Sequence, residues 1–542
     1  MRWRHLPFYI LLIFSLWLLA IRLFDLTIVK GGYYRELSEG NRVKEQVLRA
    51  PRGIIYDRHG QVLARNTPVY RWQTADGSWQ ILSREKALAI EAKGGTEAAQ
   101  LEIDLAREYP WGGILAHVLG YTGEVTPEEM EMNPPTGGEK WRMGDWVGRT
   151  GVEEQSEETL KGIDGKELIE TDALGTKIKS LGKIDPKPGR DLTLALDLSL
   201  QKVAAEALGE KTGAILVSDP QTGEILTLYS SPSFNPNILT AQILTDPNRP
   251  MFDRAISGLY PPGSTFKIVT AATGLETGKI NSQTKIEDVG EITIGPYRFP
   301  NWYWTQYGRK EGSLDILSAI KRSNDIFFYK VGEWVGIRQL ADWAAEFGVG
   351  KTLGIDLPGE AAGVMPTPEW RKKVRGEDWF LGDTYHVAIG QGDLQVTPLQ
   401  MNFWTSVIAN GGKLCQPTII KNEKIKTKND NEKCKDIGLK KETIDLIREG
   451  MREACSPGGT GWPLFEFGVR SSEFGERKIP VACKTGTAEY GDAKGRTHAW
   501  FTIFAPVDEP EITVTVLVEG GGEGSNVAAP IAKKILEEWF GR

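Results

Sequence analysis

The pattern of apolar and polar residues predicts a membrane helix at the N-terminus. The chain is almost purely apolar from Leu6 onwards, and the apolar pattern continues to Val29 with two interruptions by charged residues. This run of about 24 residues is close to the length that an α-helix needs to span a bilayer. No cleavage site of small residues follows it, so we predict an uncleaved anchor over residues 6–29 after a cytoplasmic tail of residues 1–5. A buried core helix is the alternative, but a helix without an amphipathic face suits a core poorly.

Residues 30–190 have the pattern of a mixed α/β domain. Short β-rich runs alternate there with turns that contain Gly and Pro, and Glu85–Ala106 carries the spacing of a helix. The sequence Asp-Pro-Lys-Pro-Gly at 185–189 is a strong boundary signal, because neither proline nor glycine continues a regular element. We therefore predict one domain over residues 30–190 and a second over residues 191–542.

Five β-rich runs in the second domain predict an antiparallel sheet. The first two, Gly213–Ser218 and Glu224–Tyr229, flank a Pro-Gln-Thr-Gly turn and form a hairpin. The other three lie far downstream, at Val481–Lys484, Ala499–Phe504 and Ile512–Val518. A helix closes the chain, and helical stretches between the two groups of strands supply an all-helical subdomain. The predicted fold class is α+β, with a five-stranded antiparallel sheet flanked by helices.

Length and charge narrow the class of protein. A chain of 542 residues is long enough for two or more domains. Its net charge of −7 gives no electrostatic case for nucleic-acid binding, so we expect no nucleic-acid partner. Five histidines leave little room for a His-rich metal site.

The four cysteines all lie in the last quarter of the chain and form no Cys-x-x-Cys pair, which argues against zinc-ribbon and thioredoxin-like sites. Two interpretations of Cys415 and Cys434 remain open. They form a disulfide if this region lies outside the cytoplasm, or they are unrelated thiols, and the second interpretation is slightly favoured.

The strongest chemical signal is a serine followed by a lysine three residues later. Ser264 follows Tyr-Pro-Pro-Gly, which ends one element, and opens a predicted helix on which Ser264 and Lys267 share a face. A serine hydroxyl is a poor nucleophile until a base removes its proton. A lysine is such a base only when it is neutral, which burial or a second nearby cation favours. Taken alone, the pair is equally well explained as a helix start with an exposed lysine.

Two further segments are weak alone and informative together. Ser323-Asn324-Asp325 lies in a helical stretch, where a helix cap is the commoner explanation. Lys484-Thr485-Gly486-Thr487 lies on a predicted strand, where the glycine permits close approach of a ligand to the backbone. The lysine and the threonines offer a cation and hydroxyls to a carboxylate. The order S-x-x-K, S-x-D and K-T-G is the motif set of the penicillin-recognising serine enzymes.

On these motifs the chain resembles the class B penicillin-binding proteins, which are peptidoglycan D,D-transpeptidases. Residues 50–58, 117–121 and 148–153 resemble motifs of their non-catalytic domain, and residues 390–400 resemble a further landmark. The Tyr-Pro-Pro-Gly before Ser264 and the aspartate at Asp325 are typical of the elongation branch, the relatives of penicillin-binding protein 2. The resemblance implies a pedestal for dimerisation or partner binding over 30–190 and a transpeptidase domain over 191–542.

The resemblance also assigns roles to residues. Ser264 would attack the bond between the terminal D-alanines of a stem peptide, Lys267 would accept its proton, and β-lactams would acylate the same serine. The residues assigned to catalysis are Ser264, Lys267, Ser323, Asp325 and Lys484. The residues assigned to substrate binding are Asn324, Thr485, Gly486 and Thr487. Some relatives bind zinc near this site, but no set of His or Cys lies between Ser264 and Asp325, so we expect neither metal nor cofactor.

The resemblance further implies surroundings and partners. The expected location is the bacterial cell membrane, with a single membrane pass and an extracytoplasmic catalytic domain. The expected ligands are stem peptides ending in D-Ala-D-Ala, and the expected partner is a membrane-embedded SEDS-type glycosyltransferase such as RodA.

Other classes of protein remain as alternatives. A β-lactamase has the same three motifs, but no Glu-x-x-Leu-Asn element follows Ser323 here. A DD-carboxypeptidase would release D-alanine without making a cross-linked dimer. A β-lactam sensor or a scaffold for a partner glycosyltransferase would be favoured by degenerate motifs, whereas all three motifs are intact.

Overall fold

The structure is a computed structural model that describes residues 5–74, 79–94, 101–131, 141–142, 144–171, 177–421, 433–471, 475–489 and 495–542. The chain forms two compact units that do not follow a single boundary in the sequence. The first unit contains Met1–Gly53, Arg65–Glu108 and Thr159–Arg190, and the second contains Ile54–Ala64, Tyr109–Glu158 and Asp191–Arg542. The predicted limits of the domains stay a prediction.

The N-terminal apolar run forms one long helix. An α-helix over Leu6–Phe24 continues into a π-helical turn over Asp25–Val29, and a second helix follows at Gly31–Arg42. The 24 residues Leu6–Val29 have a mean hydropathy of 2.1, and none of them is buried by the rest of the described chain. By length and composition this helix is able to cross a membrane, as the predicted anchor requires.

The first unit also contains two groups of strands. One antiparallel sheet has the order Val43–Leu48, Gly165–Thr171 and Lys177–Ile184. In the other, the part of strand Val62–Gln73 from Arg65 onwards pairs with Trp79–Leu82 and Leu101–Glu108. Helix Arg84–Lys93 begins at Ser83, whose hydroxyl accepts a hydrogen bond from the N–H of Lys86.

The prediction of one helix over Glu85–Ala106 is therefore wrong in its second half. The helix ends at Lys93, and Leu101 begins a strand of eight residues. This strand pairs along its whole length with residues 65–72. Helical spacing does not detect such long-range pairing, which overrides the local preference.

The second unit is built around the predicted five-stranded sheet. All neighbouring strands are antiparallel, in the order Ile225–Ser231, Gly213–Ser218, Ile512–Val518, Thr497–Ala505 and Ala482–Glu489. The sheet separates two apolar cores because side chains alternate between its faces. Phe501 and Ile503 pack with helices Leu198–Leu208 and Gly524–Phe540. Trp500 and Phe504 face the core of the helical subdomain. The predicted α+β fold class is confirmed.

In the sequence, the helical subdomain lies between strand Ile225–Ser231 and strand Ala482–Glu489. A 3₁₀ turn at Gly263–Phe266 leads into its first long helix. Its α-helices are Lys267–Glu276, Trp302–Tyr307, Ile316–Arg322, Asp325–Val335, Ile337–Glu346, Pro368–Arg375, Leu381–Ala388, Pro398–Ala409 and Lys441–Ala454. Helix Pro398–Ala409 is buried along its whole length and begins with a capping box formed by Thr397 and Gln400.

Short hairpins and bridges complete the second unit. Strands pair as Ile286–Asp288 with Gly312–Leu314, Glu291–Ile294 with Tyr297–Pro300, Lys413–Cys415 with Cys434–Asp436, and Gly468–Ser471 with Gly475–Lys478. Two further pairs come before the five-stranded sheet in the sequence. Ile55–Tyr56 pairs in parallel with Leu192–Thr193, and Thr122–Glu124 pairs with Trp146–Gly148. The short helices are Gly112–Leu115, Ala116–Leu119, Pro127–Glu131, Gly151–Gln155, Glu157–Leu160, Ala241–Thr245 and Trp462–Leu464.

Two disulfides join the four cysteines in pairs. Cys415 and Cys434 are bonded, so the favoured interpretation as unrelated thiols is wrong. The physical reason is the hairpin that places these two residues directly opposite each other. The second bond, between Cys455 and Cys483, was not predicted from the sequence. Cys455 directly follows helix Lys441–Ala454, and Cys483 directly precedes Lys484 on strand Ala482–Glu489.

Loss of the Cys455–Cys483 bond should lower stability. It closes a loop of 28 residues, and such a cross-link typically stabilises a fold by about 3 to 4 kcal/mol through restriction of the unfolded chain. We expect the double variant Cys455→Ala/Cys483→Ala to unfold at a clearly lower temperature than the wild type. Calorimetry in detergent checks this, and each single variant, which also lacks the bond, should show a similar loss. An unchanged unfolding temperature would contradict the prediction.

Candidate active site

Ser264 lies at an exposed point of an otherwise buried turn. In the turn Gly263–Phe266 the three other residues are buried, whereas Ser264 is partly exposed. The turn is bonded to Gly390, because the N–H of Gly263 donates to the carbonyl oxygen of Gly390 at 2.8 Å. Gly263 has a φ of +56°, and a Cβ at this position would lie 2.7 Å from the carbonyl oxygen of Thr487. Glycine is therefore required where the serine turn meets strand Ala482–Glu489.

Lys267 is fully buried on the first turn of the following helix. Its Nζ donates to Oδ1 of Asp325 at 2.6 Å and to the carbonyl oxygen of Ser323 at 2.7 Å, and it lies 3.4 Å from Oγ of Ser323. Burial lowers the pKa of Lys267, although the negative charge of Asp325 acts in the opposite direction. The lysine of the first motif therefore contacts two residues of the second motif.

Lys484 contacts Ser323 from strand Ala482–Glu489. It is also fully buried, and its Nζ donates to Oγ of Ser323 at 2.8 Å and to the carbonyl oxygen of Thr485 at 3.0 Å. Burial lowers the pKa of Lys484 well below its usual value, and the charge of Lys267 lowers it further. The hydroxyl of Ser323 thus lies between the two lysine amines, which makes it a group through which a proton can pass.

The backbone of Ser323 is in the left-handed region, with a φ of +52°. It ends helix Ile316–Arg322, and Asn324 immediately begins helix Asp325–Val335. A non-glycine residue rarely adopts this conformation, and such strain persists only where neighbours hold it.

The side chain of Asn324 is one such neighbour. Its Oδ1 accepts a hydrogen bond from the N–H of Phe327 at 2.9 Å, and its amide donates to Glu311 at 2.9 Å and Asp288 at 3.2 Å. Asn324 is fully buried. The side chain of Asn324 therefore holds the Ser323 turn, and its role in substrate binding stays a prediction.

A buried polar cluster supports this turn from behind. Asn301 accepts from the N–H of Asp325 at 3.1 Å and donates to Asp288 at 3.0 Å. Arg322 donates from Nε to Oε1 of Glu311 at 2.5 Å. The other carboxylate oxygen of Asp325 accepts from the N–H of Trp302 at 2.9 Å. These residues lack a motif spacing, so the sequence analysis could not find them.

Strand Ala482–Glu489 forms the other wall of the site and is the edge strand of the sheet. A Cβ on Gly486 would lie 2.9 Å from the side chain of Thr265 and 3.1 Å from the carbonyl oxygen of Pro262. The glycine thus allows the strand to pack closely against the serine turn. Thr487 is exposed, and Thr485 is nearly buried with its Oγ1 2.8 Å from Oγ1 of Thr460.

Gln391 bonds to the free edge of this strand. Its Nε2 donates to the carbonyl oxygen of Thr487 at 3.3 Å, and its Oε1 accepts from the N–H of Glu489 at 3.4 Å. In the sequence, Gln391 was recognised only as part of the landmark at residues 390–400, and that pattern gave no sign of this contact.

The family models match this arrangement of motifs. Residues 213–537 match the penicillin binding protein transpeptidase domain, and residues 77–194 match the penicillin-binding protein dimerisation domain. The chain belongs to the penicillin-binding protein family.

Known penicillin-binding proteins resemble the chain over nearly its whole length. The peptidoglycan D,D-transpeptidase MrdA of Acinetobacter baumannii is 32% identical, and the alignment covers 98% of this chain and 86% of that protein. The structure of a complex between penicillin-binding protein 2 and MreC from Helicobacter pylori is similar, with a TM-score of 0.77 and 28% identity. It covers 92% of this chain and 98% of the other.

A third similar structure describes coordination of polymerization and crosslinking by a peptidoglycan synthase complex. Its TM-score is 0.75 at 27% identity, and it covers 99% of this chain and 98% of the other. The comparisons confirm the predicted family and the enzyme class, a serine-type peptidoglycan D,D-transpeptidase that functions in cell elongation. The N-terminal helix of the chain is consistent with a membrane anchor.

Proposed function

We propose that the chain is a membrane-anchored D,D-transpeptidase that forms peptidoglycan cross-links through an acyl-enzyme at Ser264. The observation that carries this proposal is the position of the Ser323 hydroxyl between two buried lysine amines. One of these lysines, Lys267, directly follows the turn in which Ser264 is partly exposed. This arrangement supplies a nucleophile, a base of lowered pKa and a route for the proton.

In the first half-reaction, Oγ of Ser264 bonds to the carbonyl carbon between the two terminal D-alanines. Neutral Lys267 takes the proton of the hydroxyl, and the resulting ammonium is stabilised by Asp325 at 2.6 Å. As the C–N bond breaks, the leaving nitrogen of D-alanine takes a proton from the Ser323 hydroxyl. Lys484, hydrogen-bonded to that hydroxyl, replaces the proton.

The edge strand binds and polarises the substrate. The backbone N–H groups of Ser264 and Thr487 form the oxyanion hole, and the close contact of Gly263 with Thr487 supports this assignment. One such donor typically contributes about 10²–10³ in rate. The hydroxyls of Thr485 and Thr487 bind the terminal carboxylate, and Gly486 allows the peptide to approach the strand.

In the second half-reaction, an amine of another stem peptide attacks the acyl carbon. A C–N bond forms, and the proton that the amine loses passes through the Ser323 hydroxyl back to Lys484. The bond to Oγ of Ser264 breaks, and the serine regains its proton from Lys267. Water in place of the amine would make the protein a DD-carboxypeptidase, so the acceptor distinguishes the two activities.

A product assay tests the proposal. The full-length protein in detergent is supplied with glycan strands that carry stem peptides ending in D-Ala-D-Ala. We expect cross-linked dimers and an equal amount of free D-alanine, with both products suppressed by benzylpenicillin. Free D-alanine without dimers would favour the carboxypeptidase, and neither product from a folded protein would favour a sensor or scaffold.

The pH dependence of acylation should reveal the charge state of Lys267. The neutral amine is the active form, so the acylation rate rises with pH through the pKa of Lys267. The charge of Asp325 raises this pKa, and its removal therefore lowers the pKa further. We expect Asp325→Asn to move the rising limb of the rate–pH profile to lower pH, with a lower maximum rate.

The exposed Asp342 on helix Ile337–Glu346 provides a matched control. Asp342→Asn also removes one negative charge, but from a different helix. Its rate–pH profile should equal that of the wild type. A rising limb that stays in place or moves to higher pH in Asp325→Asn would contradict the assignment of Lys267 as the base.

We also propose the location and partner of the enzyme. Residues 6–29 cross the bacterial cell membrane once, residues 30–190 form the partner-binding pedestal, and residues 191–542 act outside the cytoplasm. The apolar helix and the similarity to proteins in peptidoglycan synthase complexes support this arrangement. The proposed partner is a SEDS-type glycosyltransferase such as RodA.

Two measurements test these proposals. Protease added to spheroplasts should digest the catalytic domain, and protection of that domain would contradict the orientation. Glycan polymerisation by RodA should increase in the presence of this chain, and an unchanged rate would contradict the partnership.

A further inference from the structure

A loop outside the three motifs connects two of them. The 455–461 loop, Cys455–Gly461, follows helix Lys441–Ala454. The carbonyl of Gly458 accepts a hydrogen bond at 2.7 Å from Arg322, the residue before Ser323. Two residues later, Oγ1 of Thr460 lies 2.8 Å from Oγ1 of Thr485. The loop therefore contacts the Ser323 turn on one side and the edge strand on the other.

The 455–461 loop is held tightly at both ends. Its first residue is bonded to the strand through the Cys455–Cys483 disulfide. Its last residue donates from the N–H of Gly461 to the carbonyl of Ala454 at 2.8 Å. A Cβ at Gly461 would lie 2.5 Å from Sγ of Cys483, and one at Gly459 would lie 2.3 Å from the carbonyl oxygen of Ala454. Thr460 is thus fixed between two positions that have no space for a larger side chain.

The strand presents a single face to this loop. Side chains alternate between the two faces of a strand. One face of strand Ala482–Glu489 therefore carries Cys483, Thr485 and Thr487. Cys483 is fully buried against the loop, Thr485 is 8% exposed and Thr487 is exposed. Thr485 therefore lies between the loop and the part of the strand that is open to a ligand.

We propose that Thr460 is a positioning residue that orients the hydroxyl of Thr485 toward the terminal carboxylate of the substrate. The inference rests on the proposed function. A hydroxyl has one proton to donate and can accept, whereas a carboxylate only accepts. In the structure the hydroxyl of Thr485 donates to Oγ1 of Thr460. When a carboxylate binds, this order reverses: the hydroxyl of Thr460 donates to Oγ1 of Thr485, and the proton of Thr485 is directed to the carboxylate. Hydrogen bonds to a charged acceptor are stronger than neutral ones, so the carboxylate selects this order of donors.

The test compares a ligand that has the carboxylate with one that lacks its charge. The second-order acylation rate constants of the full-length protein are measured in detergent for benzylpenicillin and for its methyl ester. Thr460→Val keeps the shape of the side chain and removes the hydroxyl. We expect about a tenfold lower rate constant with benzylpenicillin, the effect of one lost hydrogen bond, and a nearly unchanged rate constant with the ester.

Two further variants separate orientation from packing. Thr460→Ser retains the hydroxyl and should restore the wild-type preference for benzylpenicillin. The double variant Thr460→Val/Thr485→Val should be no slower than Thr485→Val alone, because Thr460 acts through Thr485.

The outcomes separate the inference from the proposed function. Equal losses with both ligands, no loss with either, or independent effects of the two threonines would overturn the role of Thr460 while acylation at Ser264 stands. A folded wild-type protein that benzylpenicillin does not acylate would overturn the proposed function and this inference together.

Discussion

Replacement of Ser264 by alanine should abolish covalent labelling of the protein by a fluorescent penicillin. In the proposed mechanism Oγ of this residue makes the acyl-enzyme bond, and the motif provides no second hydroxyl at that position of the turn. Thr265 is fully buried, and its own hydroxyl donates to the carbonyl of Pro262. We therefore expect no labelled band after electrophoresis of the Ser264→Ala variant under denaturing conditions.

Ser282→Ala provides a matched control for this experiment. Ser282 is exposed in a turn after helix Lys267–Glu276, so loss of its hydroxyl should not change labelling. Unfolding temperatures of both variants show whether the fold is retained. Persistent labelling of a folded Ser264→Ala protein would mean that another residue forms the acyl-enzyme.

Replacement of Lys267 by methionine should slow acylation by about 10²–10⁴, the usual contribution of a general base. Methionine retains much of the length of the buried side chain and cannot accept a proton. The rate constant for acylation by benzylpenicillin, measured by quenched flow or by a time course of labelling, checks the prediction. A second variant, Lys267→Arg, retains a cation beside Asp325 but cannot be deprotonated, so it should be equally slow.

Lys279→Met is the matched control for the lysine variants. Lys279 is exposed beyond the C-terminal end of the same helix, and its replacement should leave the rate constant unchanged. Lys267→Arg distinguishes two roles for the lysine. A fast Lys267→Arg variant would show that only the positive charge of Lys267 is needed, and Lys484 would then become the candidate for the base.

The sheet and its two helical layers could be predicted because their signals are local. Each of the five strands is a continuous β-rich run between turns, and the last helix has one apolar face. The second half of the predicted helix Glu85–Ala106 failed because strand Leu101–Glu108 is stabilised by pairing with residues about 35 positions away. The Cys415–Cys434 bond was considered but not favoured for the same reason, since only the hairpin brings the two residues together.

The candidate site was predictable as far as its motifs extend. The structure links Asp325, Lys267, Ser323 and Lys484, in that order, in one chain of hydrogen bonds, and their chemical roles stay a prediction. The residues that hold them were not predictable. Asp288, Glu311 and Thr460 reach the motifs through tertiary folding alone, and residues of these types are common in surface turns.

The contact of Gln391 with the edge strand has a consequence for the recognition of peptides. An extended peptide that adds to the free edge of a strand needs the backbone groups of Thr487 and Glu489 as partners. In the structure these groups are bonded to the amide of Gln391. An arriving peptide therefore exchanges one pair of hydrogen bonds for another, and this exchange adds little to its affinity. Discrimination among peptides would then be expressed in the rate of acylation, and weakly bound strands that are not substrates would leave the edge quickly.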